Sequence, residues 1–458
     1  KLGHPMKGRD VIVKALENEG VKVIFGYPGG TSMEIHQGLT LTKKIRMVLP
    51  RHEQGGSFAA GGYARSTGEV GVCMATSGPG ATNLITGIID AKMDSIPIVA
   101  ITGQVASTLL GSDAFQETDI MGATFPLVKH SYMIQNVEEI PRIVHEAFHI
   151  ARSGRPGPVL IDIPKNIQQQ EGIADFDVSF DCPSYKPNLK PSVLQCKKAA
   201  HTIQTAKRPI IYAGGGIISS GASEELRAFV KKTGIPVTTT AMGLGAFPSN
   251  DPLSLRMLGM HGAVYANIAI NHADLVIAMG VRFDDRVTGK LAEFCKNAQF
   301  IQIDIDPTEI NKNITIDVPI QGDVKQALKI LTGYVEPKKD IKPWVKQVNE
   351  WKKEFPLEFE LKKGEIVPQS VVSDINKLAA KDAIFSVGVG QHQMWAAQFL
   401  DFDMPNNWLC SSGLGAMGFG LPAAMGAQVA FPNRQVINIE GDGSFLMNIQ
   451  ELQTLKIE

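Results

Sequence analysis

Short apolar runs that are followed by a glycine turn and then by a helical pattern recur along this chain. The runs are apolar throughout and do not alternate with polar residues, which is typical of strands buried on both faces of a parallel sheet. Parallel strands need long crossover connections, usually helices. The sequence therefore predicts an α/β fold with open parallel sheets, whose predicted strands are residues 45–48, 72–75, 98–102, 159–163, 209–213, 236–240, 274–279, 300–304, 383–387 and 436–439.

Two polar segments divide the pattern into three blocks. Residues 168–191 contain several prolines, and residues 336–364 are rich in lysine and glutamate, so both are interpreted as linkers. We predict three α/β domains, at residues 6–170, 191–335 and 365–458. The length of 458 residues is sufficient for about three domains of ordinary size.

Charge and cysteine content exclude several functional classes. The chain has 45 basic and 46 acidic residues, so no basic surface for nucleic acid or an anionic membrane is expected. No apolar run reaches the ~18 residues of a membrane-spanning helix. The five cysteines form no CxxC pair, which favours a reducing compartment over a disulfide framework or a thiolate zinc site.

Three local motifs have more than one interpretation. His145 and His149 match HExxH, but a zinc protease needs a third ligand that the following sequence does not supply, and an amphipathic helix explains the same residues. Residues 413–418 match GxGxxG without the acidic residue expected ~20 positions later in an NAD site. Residues 214–216 follow a predicted strand and fit either a tight turn or a phosphate-binding loop.

A series of longer segments resembles the catalytic subunit of the acetohydroxyacid synthase (acetolactate synthase) family, from about Met6 to Glu458. The segments are FGYPGG, RHEQGG, ATSGPGATNL, AITGQV, DAFQET, SGRPGPVLIDIPKNIQQQ, LGMHG, GVRFDDRVTG, QIDIDP, VGQHQMWAAQF, GLGAMGFGLP and GDGSFLMNIQEL. The resemblance implies a pyrimidine-binding domain (6–170), a central FAD-binding domain (191–335) and a diphosphate-binding domain (365–458). The second half of the family's metal motif would fall beyond Glu458, so the last domain is expected to be incomplete.

The resemblance also implies a thiamine diphosphate site. Glu53 matches the carboxylic acid that hydrogen-bonds the coenzyme's aminopyrimidine, and Asp442 matches a ligand of Mg²⁺, an ion that prefers oxygen donors. Met417 matches a side chain beneath the bent coenzyme. The coenzyme-binding residues implied are Gln391, His392, Gly415, Ala416, Met417, Asp442, Gly443 and Ser444.

The central block carries the implied FAD contacts, apart from Arg155, which precedes it. They are Arg155, Gly214, Gly215, Gly216, Thr240, Ala241, Leu258, Gly259, Met260, His261, Gly280, Arg282, Asp304, Ile305, Asp323 and Val324. Phe115 and Gln116 match residues at the reacting centre. Arg286 and Lys165 match charged residues near the entrance, although a solvated surface lysine is an alternative for Lys165.

The implied activity is decarboxylation of pyruvate on thiamine diphosphate and condensation of the hydroxyethyl unit with a second 2-ketoacid, pyruvate or 2-ketobutyrate. A flavin-dependent enzyme of pyruvate oxidase type and a non-catalytic flavin-binding chain are the alternatives. The implied assembly is a homodimer or tetramer with a small regulatory subunit, in which Glu53 of one subunit faces Asp442 of its partner. The expected location is cytoplasmic in a prokaryote and a plastid or mitochondrion in a eukaryote.

Overall fold

The computed structural model describes residues 3–458. Its strands are β1 (Met6–Lys7), β2 (Val23–Gly26), β3 (Arg46–Val48), β4 (Gly71–Ala75), β5 (Ile98–Gln104), β6 (His130–Met133), β7 (Pro158–Pro164), β8 (Glu171–Gly172), β9 (Pro209–Ala213), β10 (Val237–Thr239), β11 (Ser254–Met257), β12 (Leu275–Met279), β13 (Gln299–Asp304), β14 (Val318–Gln321), β15 (Ile384–Val387), β16 (Trp408–Leu409) and β17 (Val436–Ile439).

The α-helices alternate with these strands. They are α1 (Gly8–Asn18), α2 (Met33–Leu41), α3 (Glu53–Thr67), α4 (Pro79–Thr82), α5 (Ile85–Asp94), α6 (Ile120–Thr124), α7 (Ile140–Arg152), α8 (Lys165–Gln169), α9 (Val193–Thr205), α10 (Gly215–Ser219), α11 (Ser223–Thr233), α12 (Val264–His272), α13 (Asp285–Thr288), α14 (Val324–Tyr334), α15 (Lys342–Glu354), α16 (Pro368–Leu378), α17 (Gln391–Phe399), α18 (Gly420–Ala430), α19 (Asp442–Met447) and α20 (Glu451–Ile457). Within the described residues, no helix is both long and apolar enough to cross a membrane.

The chain forms two compact units. Unit 1 contains the described residues up to Lys186 together with Ile384–Gly390 and Leu409–Glu458, and unit 2 contains Pro187–Ala383 and Gln391–Trp408. Each unit holds a six-stranded parallel sheet, and unit 1 holds a further small sheet. The α/β fold with parallel sheets is therefore confirmed.

The large sheet of unit 1 has the strand order β3-β2-β4-β5-β7-β6, with all neighbours parallel. Strands β4, β5 and β7 are buried along their whole length. This burial explains why they consist of continuous apolar runs. The strand order reverses between β2 and β4, and ligands of open α/β sheets bind at such a point, beyond the carboxyl ends of the strands.

The small sheet of unit 1 has the order β16-β15-β17, in which β15 and β17 are parallel. Helix α18, which covers it, packs closely on α3. A Cβ atom on Gly62 would lie 2.2 Å from the carbonyl oxygen of Ala423, and one on Gly426 would lie 2.0 Å from that of Ala59. Glycine at both positions lets the two helix backbones approach each other.

Unit 2 is built on the parallel sheet β11-β10-β9-β12-β13-β14, and its strand order reverses between β9 and β12. Every residue of β9 and β12 is buried. Helix α15 belongs to the core of this unit, since Trp344 is 3% exposed and its Nε1 donates to the carbonyl oxygen of Pro209 at 2.8 Å. The interpretation of residues 336–364 as only a linker is therefore wrong.

Candidate functional site

The carboxyl edge of the large sheet in unit 1 collects four predicted site residues. Glu53 follows β3, Phe115 and Gln116 lie in the segment after β5, and Lys165 follows β7 directly. Since all strands of the sheet are parallel, these positions share one edge. Lys165 is exposed at the first residue of α8, and Phe115 is 88% exposed.

Glu53 is the first residue of α3, where the unpaired N–H groups of the helix favour a negative charge. Its Oε2 accepts a hydrogen bond from Nδ2 of Asn83 at 3.0 Å. A Cβ atom on Gly80 would lie 3.5 Å from Oε1 of Glu53, so the loop after β4 passes close to the carboxylate. Asn83 and Gly80 thus fix one side of Glu53.

Strand β3, which precedes Glu53, is the neighbour of β2 in the sheet. Hydroxyl groups hold together the loops at the reversal point between β2 and β4. The Oγ1 atoms of Thr31 and Thr76 are 2.9 Å apart, and Thr31 Oγ1 also accepts from the backbone N–H of Ser77 at 2.9 Å. A Cβ atom on Gly29 would lie 2.4 Å from the Thr76 side chain. The glycine therefore allows the two loops to close on each other.

Gln116 lies against the loop after β4. It has a positive φ of 59°, and a Cβ atom on Gly78 would lie 2.9 Å from its carbonyl oxygen. A positive φ is uncommon outside glycine and is frequent at functional sites. The stretch from Gly78 to Gly80 therefore runs between Gln116 and Glu53.

The second half of the candidate site is the loop of residues 413–418, which precedes α18 next to the small sheet. Gly415 and Gly418 have φ values of 69° and 88°, where glycine carries no steric cost. The N–H of Ala416 donates to Ser411 Oγ at 2.9 Å, and that of Gly418 donates to Ser444 Oγ at 3.0 Å. These bonds hold the loop against the Asp442–Ser444 segment.

Met417 lies over that segment. Its side chain is 39% exposed, and its Cε is 2.8 Å from the position of a Cβ on Gly443. Asp442 is exposed and accepts the N–H of Gly443 on Oδ1 at 2.8 Å. Its other oxygen fits one ligand position of a hard cation. Among residues 3–458, no group of three or more His, Cys, Asp or Glu side chains could hold a metal ion.

The two halves meet inside unit 1 through buried polar groups. Nδ2 of Asn448 donates to the carbonyl oxygen of Gly418 at 2.7 Å and lies 3.5 Å from Oε1 of Gln54. Oε1 of Glu451 accepts the backbone N–H of Arg51 at 2.7 Å. Asn448 and Glu451 were not among the predicted site residues, because polar residues of a short helical stretch look like surface residues until their burial is known.

A buried charged cluster supports the start of the 413–418 loop. Nη2 of Arg65 lies 2.9 Å from Asp90 and 3.0 Å from Asp94, and Asp94 accepts the N–H groups of Ser412 and Gly413 at 3.0 and 2.7 Å. Burial raises the pKa of Asp90 to about 6, although Arg65 opposes the shift. The cluster fixes the loop by charge-assisted hydrogen bonds.

The implied FAD residues of unit 2 share the carboxyl edge of its sheet. They follow β9 (Gly214, Gly215 and Gly216), β10 (Thr240 and Ala241), β11 (Leu258, Gly259, Met260 and His261), β12 (Gly280 and Arg282), β13 (Asp304 and Ile305, of which Asp304 ends the strand) and β14 (Asp323 and Val324). A Cβ atom on Gly216 would lie 2.5 Å from Cα of Gly280, so two glycine loops meet at the reversal point between β9 and β12. This crevice is where a nucleotide binds in such sheets.

The remaining predicted residues are Arg155, Arg286, Gln391 and His392. Arg155 belongs to unit 1, where its Nε donates to Ser95 Oγ at 2.8 Å. Arg286 is exposed on α13, and its carbonyl oxygen accepts the N–H of Met260 at 2.8 Å. Gln391 and His392 begin α17 in unit 2, a few residues after the end of β15.

The HExxH histidines take part in structural contacts on α7. His145 Nδ1 lies 2.6 Å from Glu19 Oε1, and Glu146 accepts from the hydroxyl of Tyr132 at 3.0 Å. The ring of His149 stacks on Phe180 at 4.0 Å. The helix is amphipathic, with Ile140, Ile143, Val144, Ala147 and Ile150 buried, as the second interpretation predicts.

Comparison with known proteins agrees with this arrangement. Three family models match, namely "Thiamine pyrophosphate enzyme, N-terminal TPP binding domain" at residues 6–123, "central domain" at 196–331 and "C-terminal TPP binding domain" at 388–458. The chain is 56% identical to "Acetolactate synthase 3, chloroplastic" of Brassica napus over 99% of its own length and 70% of that protein. The chain belongs to the acetolactate synthase family of thiamine pyrophosphate enzymes. It is also 54% identical to "Acetolactate synthase, chloroplastic" of Arabidopsis thaliana (99% and 68% covered) and 55% identical to "Acetolactate synthase 2, chloroplastic" of Nicotiana tabacum (99% and 69% covered).

Membership of the acetolactate synthase family confirms the resemblance and the three-part α/β architecture. The matched family models describe two thiamine pyrophosphate-binding domains, which carry Glu53 and Asp442 respectively. The relatives' chloroplastic names agree with the plastid location expected for a eukaryotic chain. The individual site residues and the domain boundaries of the sequence analysis stay predictions.

Proposed function

We propose that this protein is an acetolactate synthase that joins two 2-ketoacids with loss of CO₂. With pyruvate as both donor and acceptor, two pyruvate anions and one proton give one acetolactate anion and one CO₂. The observation that carries the proposal is the meeting, within unit 1, of the Glu53 end of α3 with the 413–418 loop and the Asp442–Ser444 segment. These segments lie in a chain 56% identical to a protein named acetolactate synthase.

Thiamine diphosphate, when bound, supplies a nucleophilic carbon for the ketoacid carbonyl and a cationic ring that can accept the electrons released with CO₂. Glu53 would hydrogen-bond the ring nitrogen of the aminopyrimidine and hold a proton at that atom, in a geometry fixed by Asn83. Gly415 and Ala416 would contact the coenzyme through the backbone. Met417 presents an exposed thioether that would support it from below.

Asp442 would bind Mg²⁺ beside the coenzyme's diphosphate, and Gly443 and Ser444 would line the same segment. Ser444 Oγ accepts the N–H of Gly418, so the Asp442–Ser444 segment and the 413–418 loop stabilise each other. Gln391 and His392 would contact the diphosphate as the family resemblance implies.

The substrate side of the site would be the edge that carries Phe115, Gln116 and Lys165. A 2-ketoacid brings a carboxylate, and exposed Lys165 on this edge would attract it. The family resemblance implies the same role for Arg286, which is exposed in unit 2. Gln116 would donate a hydrogen bond at the reacting centre, and Phe115 would exclude water there.

FAD would bind in the crevice between β9 and β12, in contact with the predicted FAD residues on the carboxyl edge of the unit 2 sheet. The glycine contacts between Gly216 and Gly280 fit a nucleotide that approaches the backbone closely. Since the reaction has no net oxidation, the flavin would serve a structural role. We also propose that the protein forms a homodimer or tetramer and associates with a small regulatory subunit.

The test is an assay of the full-length protein with pyruvate, Mg²⁺ and FAD, with and without thiamine diphosphate. Acetolactate is measured as acetoin after acid treatment, and the flavin absorbance is followed in parallel. We expect product only with the coenzyme and no bleaching of the flavin. Absence of acetolactate, or flavin reduction at the rate of CO₂ release, would refute the proposal.

A further inference from the structure

Two polar side chains, one just before α20 and one at its first residue, are almost fully buried. Asn448 is 1% exposed and Glu451 is 0% exposed. A buried carboxylate or amide is costly unless its hydrogen bonds are satisfied. Both side chains direct their hydrogen bonds to segments that carry the candidate site.

Glu451 holds the entry to the helix that bears Glu53. Its Oε1 and Oε2 lie 2.7 and 3.3 Å from the backbone nitrogen of Arg51, two residues before Glu53. The hydroxyl of Thr454 donates to Oε2 at 3.1 Å. Hydrogen bonds to an ionised acceptor are among the stronger ones, so the contact fixes the backbone at Arg51.

Gly55 makes this contact possible. A Cβ atom on Gly55 would lie 2.8 Å from Cδ and 2.9 Å from Oε1 of Glu451, closer than real Cβ atoms approach. The first turn of α3 therefore has a glycine where the carboxylate needs space. Nδ2 of Asn448 lies 3.5 Å from Oε1 of Gln54 in the same turn and donates to the carbonyl oxygen of Gly418 in the 413–418 loop.

We propose that Glu451 is a positioning residue for Glu53, which fixes the start of α3 so that the Glu53 carboxylate meets the coenzyme. The inference rests on the proposed function. Catalytic groups must be held to within about 0.5 Å of their working geometry, by partners that are themselves fixed. Glu451 meets that requirement because it is buried and bonds the backbone directly.

Two variants perturb the contact in different ways. Glu451→Gln removes the charge, while Gly55→Ala keeps the charge and displaces the carboxylate. The matched control is Glu458→Gln, the same chemical change at an exposed glutamate whose carboxylate pairs with Arg46 at 2.6 Å. Backbone amide exchange of residues 49–56 is measured on the protein without coenzyme, together with kcat, KM for pyruvate and Tm.

We expect both variants to exchange faster at residues 49–56 and to lose about 10- to 100-fold in kcat, with KM within about 2-fold of wild type. Glu458→Gln should match wild type in all four measurements. Unchanged exchange at 49–56, or a lower Tm with unchanged kcat, would overturn the inference by leaving Glu451 a purely structural role. If Glu451→Gln does not fold, the amide exchange and kcat of Gly55→Ala test the inference by themselves. A wild-type protein that makes no acetolactate would refute the proposed function, whereas the exchange measurement would still test the contact.

Discussion

At the residue scale, the candidate site depends on polar groups that are held by neighbours from other segments. Glu53 and Asp442 could be predicted because each lies in a distinctive sequence segment next to a strand end. Asn448 and Glu451 could not, because nothing in the local sequence distinguishes a buried glutamate from a solvated one. Their role follows from long-range contacts with Gly418 and Arg51.

Asp162 gives a pH-dependent prediction at this scale. It is buried within β7, where Thr102 Oγ1 and Gln104 Nε2 donate to its oxygens at 2.8 and 3.0 Å. Burial raises the pKa of Asp162 to about 7, and the two hydrogen bonds oppose this shift. The folded protein therefore keeps a proton that the unfolded chain releases near the ordinary pKa of an aspartate. This contribution of Asp162 to stability decreases as the pH rises from about 4 to about 7 and is constant above that range.

Asp162→Asn should remove this dependence. We expect the free energy of unfolding of the variant, relative to wild type, to increase by up to about 4 kcal/mol between pH 4 and pH 7. Urea denaturation at several pH values measures the difference. A difference that does not change with pH would show that Asp162 is ionised throughout that range in the folded protein.

At the scale of elements, the strands were easier to predict than the helices. Strands β4, β5, β7, β9 and β12 are buried on both faces, so their apolar runs are unambiguous. Strands β2, β6, β11 and β14 and the two-residue strands β1, β8 and β16 lie outside the predicted ranges. Strands β6, β11 and β14 contain polar or half-buried residues, and β2 has only four residues. The composition of helix α15 is typical of a linker, because its lysines and glutamates outnumber the buried residues Trp344 and Val348.

The close packing of α3 on α18 gives a prediction for Gly426. A Cβ atom there would lie 2.0 Å from the Ala59 carbonyl oxygen, so Gly426→Ala must push the two helices apart. We expect a loss of about 1–3 kcal/mol of stability. Weaker coenzyme binding should accompany it, because α18 directly follows the 413–418 loop. Thermal denaturation and coenzyme titration measure the two effects.

Gly333→Ala in α14 is the matched control. Nothing lies within 4 Å of a Cβ atom on Gly333, so the substitution should stabilise the helix by up to about 1 kcal/mol and leave coenzyme binding unchanged. Equal stability of Gly426→Ala and wild type would mean that the two helices are not in tight contact.

At the scale of the whole molecule, the residues of unit 2 lie in the chain between the segment that carries Glu53 and the segment that carries the 413–418 loop. The chain leaves unit 1 at Lys186 and returns to it at Ile384. In the structure α3 packs on α18 of the same chain, whereas the family resemblance assigns the two halves to different subunits. An exchange between two copies would keep the same contacts, as in domain swapping.

Mixing two inactive variants tests this exchange. Chains with Glu53→Gln and chains with Asp442→Asn are unfolded together and refolded, and acetolactate formation is compared with that of each variant alone. In a homodimer with exchanged halves, one of the two sites of each mixed dimer is intact, so about a quarter of wild-type activity should return. No restoration would assign both halves to one chain.

The central claim is that the Glu53 carboxyl group activates the aminopyrimidine of the coenzyme in an acetolactate synthase. Glu53→Gln tests this claim most directly. Glutamine keeps a hydrogen-bonding group for Asn83 but has no carboxyl group to hold the proton at the aminopyrimidine nitrogen. Initial rates of pyruvate decarboxylation are measured for the full-length wild type and the variant at saturating coenzyme. We predict a decrease of about 100-fold or more with the fold intact, whereas a rate near that of wild type would contradict the assignment of Glu53.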